Sequence, residues 1–316
     1  MEATNTAGDG IVPIVNTPFN AEGDIDYRSL ERAVDRAVTD GVAGLIAPAV
    51  ASEVSKLSLK ERLDFVSCIR ATANGRVPVI AGCGVAEGEE GLALLQGYQQ
   101  LGCDYVLVQL PESLFSDPAG AIAYFDNLRL APFKGVMVQD LAWAGDGAHL
   151  DVLLALRESL PNFSHLKIEV PMAGAKFTEV REAVGPDLVL ASGWALPQMI
   201  EALDRGVNVF NSTAINYPFV VAHRRYAAGD RSGAIDAFES TLPVLAWSHQ
   251  HIEISIAFLK RYCKRVGLFS TDMVRPPAAR FDAFHARISD ELIDNFIRVE
   301  ERLRAEEDST HRLRQS

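Results

Sequence analysis

The 316-residue chain has only four cysteines, Cys68, Cys83, Cys103 and Cys263. None forms a CxxC pair or a zinc-like spacing, so buried free thiols are expected rather than a disulfide framework. Basic charge is scarce as well. Thirty Lys and Arg stand against 42 Asp and Glu, a net charge of −12. Nucleic acid, which is held by clustered positive surface, is therefore not an expected partner. A small anion remains compatible, because a pocket can be locally positive on a negative protein. No apolar run reaches the length that spans a bilayer, so no membrane association is expected. The opening MEATNTAGDG lacks a basic stretch followed by an apolar one, and a cytoplasmic location follows as the expectation. His249 and His251 lie two apart in a segment with a helical pattern, where such positions do not share a face, so no metal site is expected there.

What the chain does have is repetition. Short apolar runs begin at Ile11, Ala43, Val77, Asp104, Gly135, Ser164, Asp187 and Gly206, 19 to 34 residues apart, and amphipathic stretches separate them. Eight strands alternating with helices predict an α/β fold, a (β/α)8 TIM barrel built on a parallel sheet. Residues 26–40 place Leu30, Ala33, Val34 and Ala37 on one helix face, while Ser58 and Glu61 match a capping box and Gly75 ends that helix. From Pro218 onward the pattern stays helical, so two or three additional C-terminal helices are expected. The charged tail from Arg298 is expected to fray. The barrel is assigned to 1–216 and the helical extension packed on it to 217–316, together one structural unit.

The chemical signal is in the sixth run, Phe163 to Glu169. Side chains on a strand alternate faces, so Leu166 and Ile168 point one way and His165, Lys167 and Glu169 the other. In a barrel the apolar set meets the helices and the polar set faces the interior, near the strand's C-terminal end where barrel enzymes work. A desolvated lysine there is a nucleophile toward carbonyls. The plainer reading is a lysine that reaches water or pairs with Glu169.

Several segments in order carry a resemblance. The opening IVPIVNTPFNAEGDIDYRSL, the LKIE around Lys167, SGWALPQMIEALDRGVNVFNS and AAGDRSGAIDAFESTLPVLAW are similar to the dihydrodipicolinate synthase/N-acetylneuraminate lyase family of class I aldolases, over roughly 9–270. The resemblance implies that Lys167 is the Schiff-base lysine, that no cofactor is needed, and that the chain forms a homo-oligomer, dimer or tetramer. The family's Gly-Thr-Thr-Gly-Glu loop appears as Ala49-Val50-Ala51-Ser52-Glu53. Its Tyr-Asn-x-Pro segment appears as Gln139-Asp140-Leu141-Ala142, its second tyrosine falls near Ser113, and the synthase arginine near Ala144.

These substitutions imply a divergent lyase, aldolase or dehydratase, acting on a 2-oxo acid or 3-deoxy-2-oxo acid, and not dihydrodipicolinate synthase proper. Lys167, Glu169 and Gln139 are the expected catalytic residues. Ala51, Ser52, Glu53, Ser113, Asp140, Gly193 and Trp194 are expected to bind substrate. For acid–base work Glu53, Glu112, Asp140, Glu169 and His165 are all candidates, and Glu169 shares the face of Lys167. Trp143 and Trp194 are expected to add apolar walls and to favour less hydroxylated or aryl-bearing substrates, although both could simply pack under loops. Two other readings stand beside this one. The chain could be a non-catalytic descendant that binds a small carboxylate or serves as an assembly subunit. It could also be an unrelated barrel with a phosphate site after strands seven and eight. The segments Gly193-Trp194-Ala195 and Asn211-Ser212-Thr213 lack the glycine-rich cradle that the last reading needs.

Overall fold

The computed structural model describes residues 8–130, 132–194 and 196–315. Eight parallel strands form the sheet: β1 (Gly10–Ile11), β2 (Leu45–Ala47), β3 (Val79–Gly84), β4 (Tyr105–Gln109), β5 (Gly135–Leu141), β6 (Phe163–Glu169), β7 (Val189–Ser192) and β8 (Val209–Phe210). Each begins within three residues of an apolar run read from the sequence. Their order is β1-β8-β7-β6-β5-β4-β3-β2. The ring closes where Ile14 bridges Ile46 in parallel, with Val15 donating to the Ile46 carbonyl at 3.0 Å and Ile46 to that of Pro13 at 2.9 Å. The chain is thus a closed TIM barrel.

Helices α1 (Tyr27–Asp40), α2 (Leu59–Ala73), α3 (Gly88–Gln100), α4 (Pro118–Asn127), α5 (Leu150–Ser159), α6 (Ala173–Val184), α7 (Met199–Asp204) and α8 (Tyr217–Ala227) surround it. Their ends follow local chemistry. The Asp26 carboxylate accepts the Ser29 N–H at 3.1 Å to start α1, and Ser58 and Glu61 cap α2 reciprocally. Asn74, in the left-handed conformation, ends α2 one residue before the expected Gly75. Helix α8 packs against β1 and α1 and completes the ring of eight helices.

Two apolar shells hold the barrel together. The larger lies between strands and helices and includes Leu166 and Ile168; the smaller fills the interior with Val12, Ile46, Ile80, Leu107, Met137 and Val209. Ser164 is an extra residue on β6, since Val136 pairs with Phe163 but Met137 with His165. Phe163 consequently stays with the helix-side shell, and His165 turns inward to meet Tyr105 edge-on at 5.8 Å.

Four helices follow the ring rather than the two or three expected: α9 (Arg231–Glu239), α10 (Leu242–Ser248), α11 (Ile252–Arg265) and α12 (Ala283–Gln315). The charged tail continues α12 instead of fraying. Ile293, Phe296 and Leu303 are buried beneath it, Arg304 pairs with Asp40 at 2.6 Å, and Arg225 reaches Glu306 and Glu307. Those contacts supply the tertiary packing that a charged helix needs. Among the described residues no helix is long and apolar enough to cross a membrane.

Candidate active site

A cavity of about 720 Å³, counting its open mouth, lies at the C-terminal ends of the strands. That is the catalytic face of this architecture. Lys167, Glu169 and Gln139 reach it from neighbouring strands, because Gln139 pairs with Lys167 across β5 and β6 and Leu141 with Glu169. Lys167 is only 1% exposed. Its ammonium lies 2.9 Å from Glu169 Oε2, the same oxygen that accepts from the Gln139 amide at 2.5 Å. Glu169 is Lys167's only ion-pair or hydrogen-bond partner among the described residues. A primary ammonium has three donors, so two remain for a ligand.

Gly193 explains how Glu169 fits. A Cβ at position 193 would stand 1.9 Å from Glu169 Oε1, so only glycine lets the carboxylate fold over the end of β7. Trp194 follows and lines the cavity with Ala51. The turn around Ala51 is held by Ser52, whose hydroxyl donates to the Val15 carbonyl at 2.6 Å and accepts the Ala49 N–H at 3.1 Å. Ser52 is fully buried in this role and does not line the cavity. The N–H groups of Val50 and Ala51 make no hydrogen bond to the described residues.

Five further expected residues are elsewhere. Asp140 follows Gln139 on β5, and the same alternation that sends Lys167 inward sends Asp140 outward. There it pairs with Lys176 at 2.5 Å and accepts the Ala148 N–H at 2.9 Å. Burial raises its carboxyl above the usual range while Lys176 opposes the shift. The Glu53 carboxylate is tied to Lys260, to Lys56 at 2.9 Å and to the Arg275 N–H at 3.1 Å, so it anchors the turn to α11 and the segment before α12. Ser113, with Glu112, is exposed on a 3-10 turn over Glu112–Leu114 and is not part of the cavity. His165 faces inward one layer below Lys167, where its Nδ1 meets Ser164 Oγ at 2.7 Å.

The sequence reading missed the far wall. Asn211, Ser212 and Thr213 follow β8; His249 comes from the turn between α10 and α11, and Ile252, Ser255 and Leu259 from α11. The Asn211 amide donates to the Val12 carbonyl at 2.8 Å, while its buried Oδ1 has no partner among the described residues. His249 stacks on Trp194 with ring centroids 4.9 Å apart, and burial pushes its imidazole down to about 4. It is neutral near pH 7. His251 points to other work, accepting the Glu253 N–H at 3.3 Å as the cap of α11. Among the described residues no three His, Cys, Asp or Glu side chains converge as a metal site would require. The four cysteines are free thiols, with Cys68 half-buried and the others buried.

Comparison with known proteins agrees with this geometry. Residues 7–293 match the model of the dihydrodipicolinate synthetase family. The 4-hydroxy-tetrahydrodipicolinate synthase of Ruegeria pomeroyi is 26% identical over 283 residues, covering 88% of this chain and 96% of that protein. The enzyme of that name from Shewanella piezotolerans is 25% identical, covering 92% and 99%. The solved structure of the 4-hydroxy-tetrahydrodipicolinate synthase from Methylacidiphilum fumariolicum SolV superposes with a TM-score of 0.82 at 18% identity, over 94% of this chain and 98% of that one. The family match spans nearly the whole barrel and the helices behind it, and the chain belongs to the dihydrodipicolinate synthetase family.

Proposed function

We propose that the chain is a class I lyase that binds a 2-oxo acid or 3-deoxy-2-oxo acid as a Schiff base on Lys167. The observation that carries this reading is a buried lysine on the cavity floor with one carboxylate partner and two uncommitted donors. For attack on the substrate's C2 carbonyl the ammonium must lose a proton, and Glu169 at 2.9 Å is the adjoining base. Glu169 returns that proton to the carbinolamine hydroxyl, which leaves as water, giving an iminium with Glu169 again a carboxylate. In an aldol cleavage the C3–C4 electron pair flows into that iminium, and Glu169 takes the proton of the C4 hydroxyl. In a dehydration Glu169 removes a C3 proton and delivers it to the C4 hydroxyl, which leaves as water. The Gln139 amide fixes the Glu169 carboxylate for either course. The free N–H groups of Val50 and Ala51 suit the substrate carboxylate.

Dihydrodipicolinate synthesis itself is not part of this proposal. No tyrosine or arginine lines the cavity among the described residues, and Ala144 is exposed where the resemblance would call for the arginine. Assembly as a dimer or tetramer belongs to the same reading and is checked by sedimentation.

The test is borohydride trapping. Incubation with pyruvate or a longer 2-oxo acid, followed by reduction, is expected to add the reduced ligand's mass to the peptide carrying Lys167. Labelling at another lysine, or at none across a panel of oxo acids, would leave only a carboxylate-binding role.

A further inference from the structure

The outer half of the cavity has a character of its own. Trp143 is 60% exposed, the largest indole surface that the chain leaves open, and it meets Trp194 edge-on at 6.2 Å. Trp194 in turn stacks on His249. Exposed aromatic surface of this kind costs solvation unless something covers it. All three rings line the cavity, and Leu196, Ile252 and Leu259 continue the same wall. Lys167 and Glu169 are the only charged side chains lining the cavity among the described residues.

The two indoles stand just past the C-terminal ends of the site's own strands. Trp143 lies four positions beyond Gln139 and Trp194 three beyond Ala191, and both of those residues are in register with Lys167. Trp143 is two residues past the end of β5 and Trp194 two past the end of β7, so both indoles lie beyond the strand layer that holds Lys167. That placement, with Lys167 and both indoles lining one cavity, suits a group at the end of a substrate whose oxo acid is held on the floor. A second carboxylate or a phosphate would find no cation there. A neutral imidazole with its Nδ1 turned to Ser248 Oγ, at 3.1 Å, cannot supply one.

We propose that Trp143, Trp194 and His249 form a clamp for an uncharged aryl ring at the distal end of the substrate. This rests on the Schiff-base reading for the orientation of the ligand. The clamp itself is a matter of ring against ring: offset or edge-on contacts with two indoles and an imidazole add to the area that the ring buries. A straight polyhydroxylated chain would leave the indoles uncovered and gain few partners for its hydroxyls.

The experiment is calorimetric titration of the full chain with two carboxylates that lack a carbonyl, 4-phenylbutanoate and butanoate. The phenyl acid is expected to bind about tenfold tighter or better, in line with the contribution of one well-packed aromatic ring. In Trp143→Ala that ratio should fall below about threefold, and Trp143→Phe should restore most of it. Thermal melts of both variants show that each is folded. An unchanged ratio in Trp143→Ala, or equal binding of the two acids by the parent chain, overturns the clamp. Neither probe can form an imine, so failure of the trapping experiment at Lys167 and failure of the clamp are separate results. Repeating the trapping with 4-phenyl-2-oxobutanoate against 2-oxobutanoate joins them. Half-labelling of Lys167 is expected at about tenfold lower concentration of the aryl acid, and the reverse order would refute the clamp's place in the reaction.

Discussion

Three lysines are buried in this barrel, and each sits against a carboxylate: Lys167 with Glu169, Lys176 with Asp140, and Lys260 with Glu53. Their surroundings separate them. Lys176 also donates to the carbonyls of Asp146 at 2.5 Å and Ala148 at 2.8 Å, so its three donors are used. Lys260 donates to the Met273 carbonyl at 2.8 Å and lies 4.2 Å above the Phe19 ring, and desolvation draws its ammonium down to about 8 against the pull of Glu53. Both are cross-links. Among the described residues Lys167 has the carboxylate alone, and it opens on a cavity. Burial by itself therefore does not mark a reactive lysine. What marks it is burial with unspent donors and room for a ligand.

The sharpest way to break this comparison is to alter the carboxylates. Glu169→Gln removes the carboxylate proposed as the base while keeping the shape, and kcat/KM for any accepted oxo acid should fall by about 10²–10⁴. A loss below threefold in steady-state assays would place Glu169 among the cross-links.

Lys176→Met tests the other side. It leaves Asp140 buried and unpaired, and stability should drop by about 3–5 kcal/mol. Borohydride labelling of the folded fraction should still occur at Lys167. Denaturant midpoints measure the first effect and peptide mapping the second; a variant as stable as the parent would mean that Asp140 is not committed to the fold.

The smallest expected effect concerns His249, a half-buried group packed on Trp194 with no charged partner among the described residues. Its imidazole titrates near 4 in the folded chain and near 6.5 when unfolded. Above pH 6.5 both states are neutral and nothing changes. Between 6.5 and about 4 the unfolded chain takes up a proton that the folded chain refuses, so stability falls as pH falls. That interval, at about 1.4 kcal/mol per pH unit, sets a ceiling of roughly 3 kcal/mol. His249→Phe should lose less stability than the parent between pH 7 and pH 4.5 in denaturant titrations. Identical slopes would show that His249 is wetter than its packing suggests.

Much of this is legible in the residues. Period-two alternation places Lys167 and Glu169 inward and Leu166 and Ile168 outward, and eight apolar runs mark eight strands. The same rule turns Asp140 away from the cavity, because it follows Gln139 on β5; its place in a family motif argues the opposite, and alternation wins. Ser113 is placed near the site only by its position along a loop, where no periodicity fixes direction, and it is exposed. Glu53 is polar beside a binding turn and reads as a ligand group until Lys260 is seen, more than 200 residues away in the chain. His249 is beyond local pattern altogether, since only the return of α10 and α11 over the barrel brings it to Trp194. The four helices after the ring, and the order kept by the charged tail, depend likewise on partners such as Asp40 and Arg225 that sequence spacing does not reveal.

The glycine at 193 constrains how this site could have changed over time. With Glu169 in place, any side chain at 193 would meet its carboxylate head-on. A lineage that first shortened residue 169 would free position 193 to take on bulk, and could then no longer return to glutamate without first restoring glycine. The two positions are therefore coupled sterically, so the order in which they change matters. Making Gly193→Ala and Glu169→Asp singly and together, and comparing the double change with the sum of the two, would measure how strongly the site is locked to its present pair.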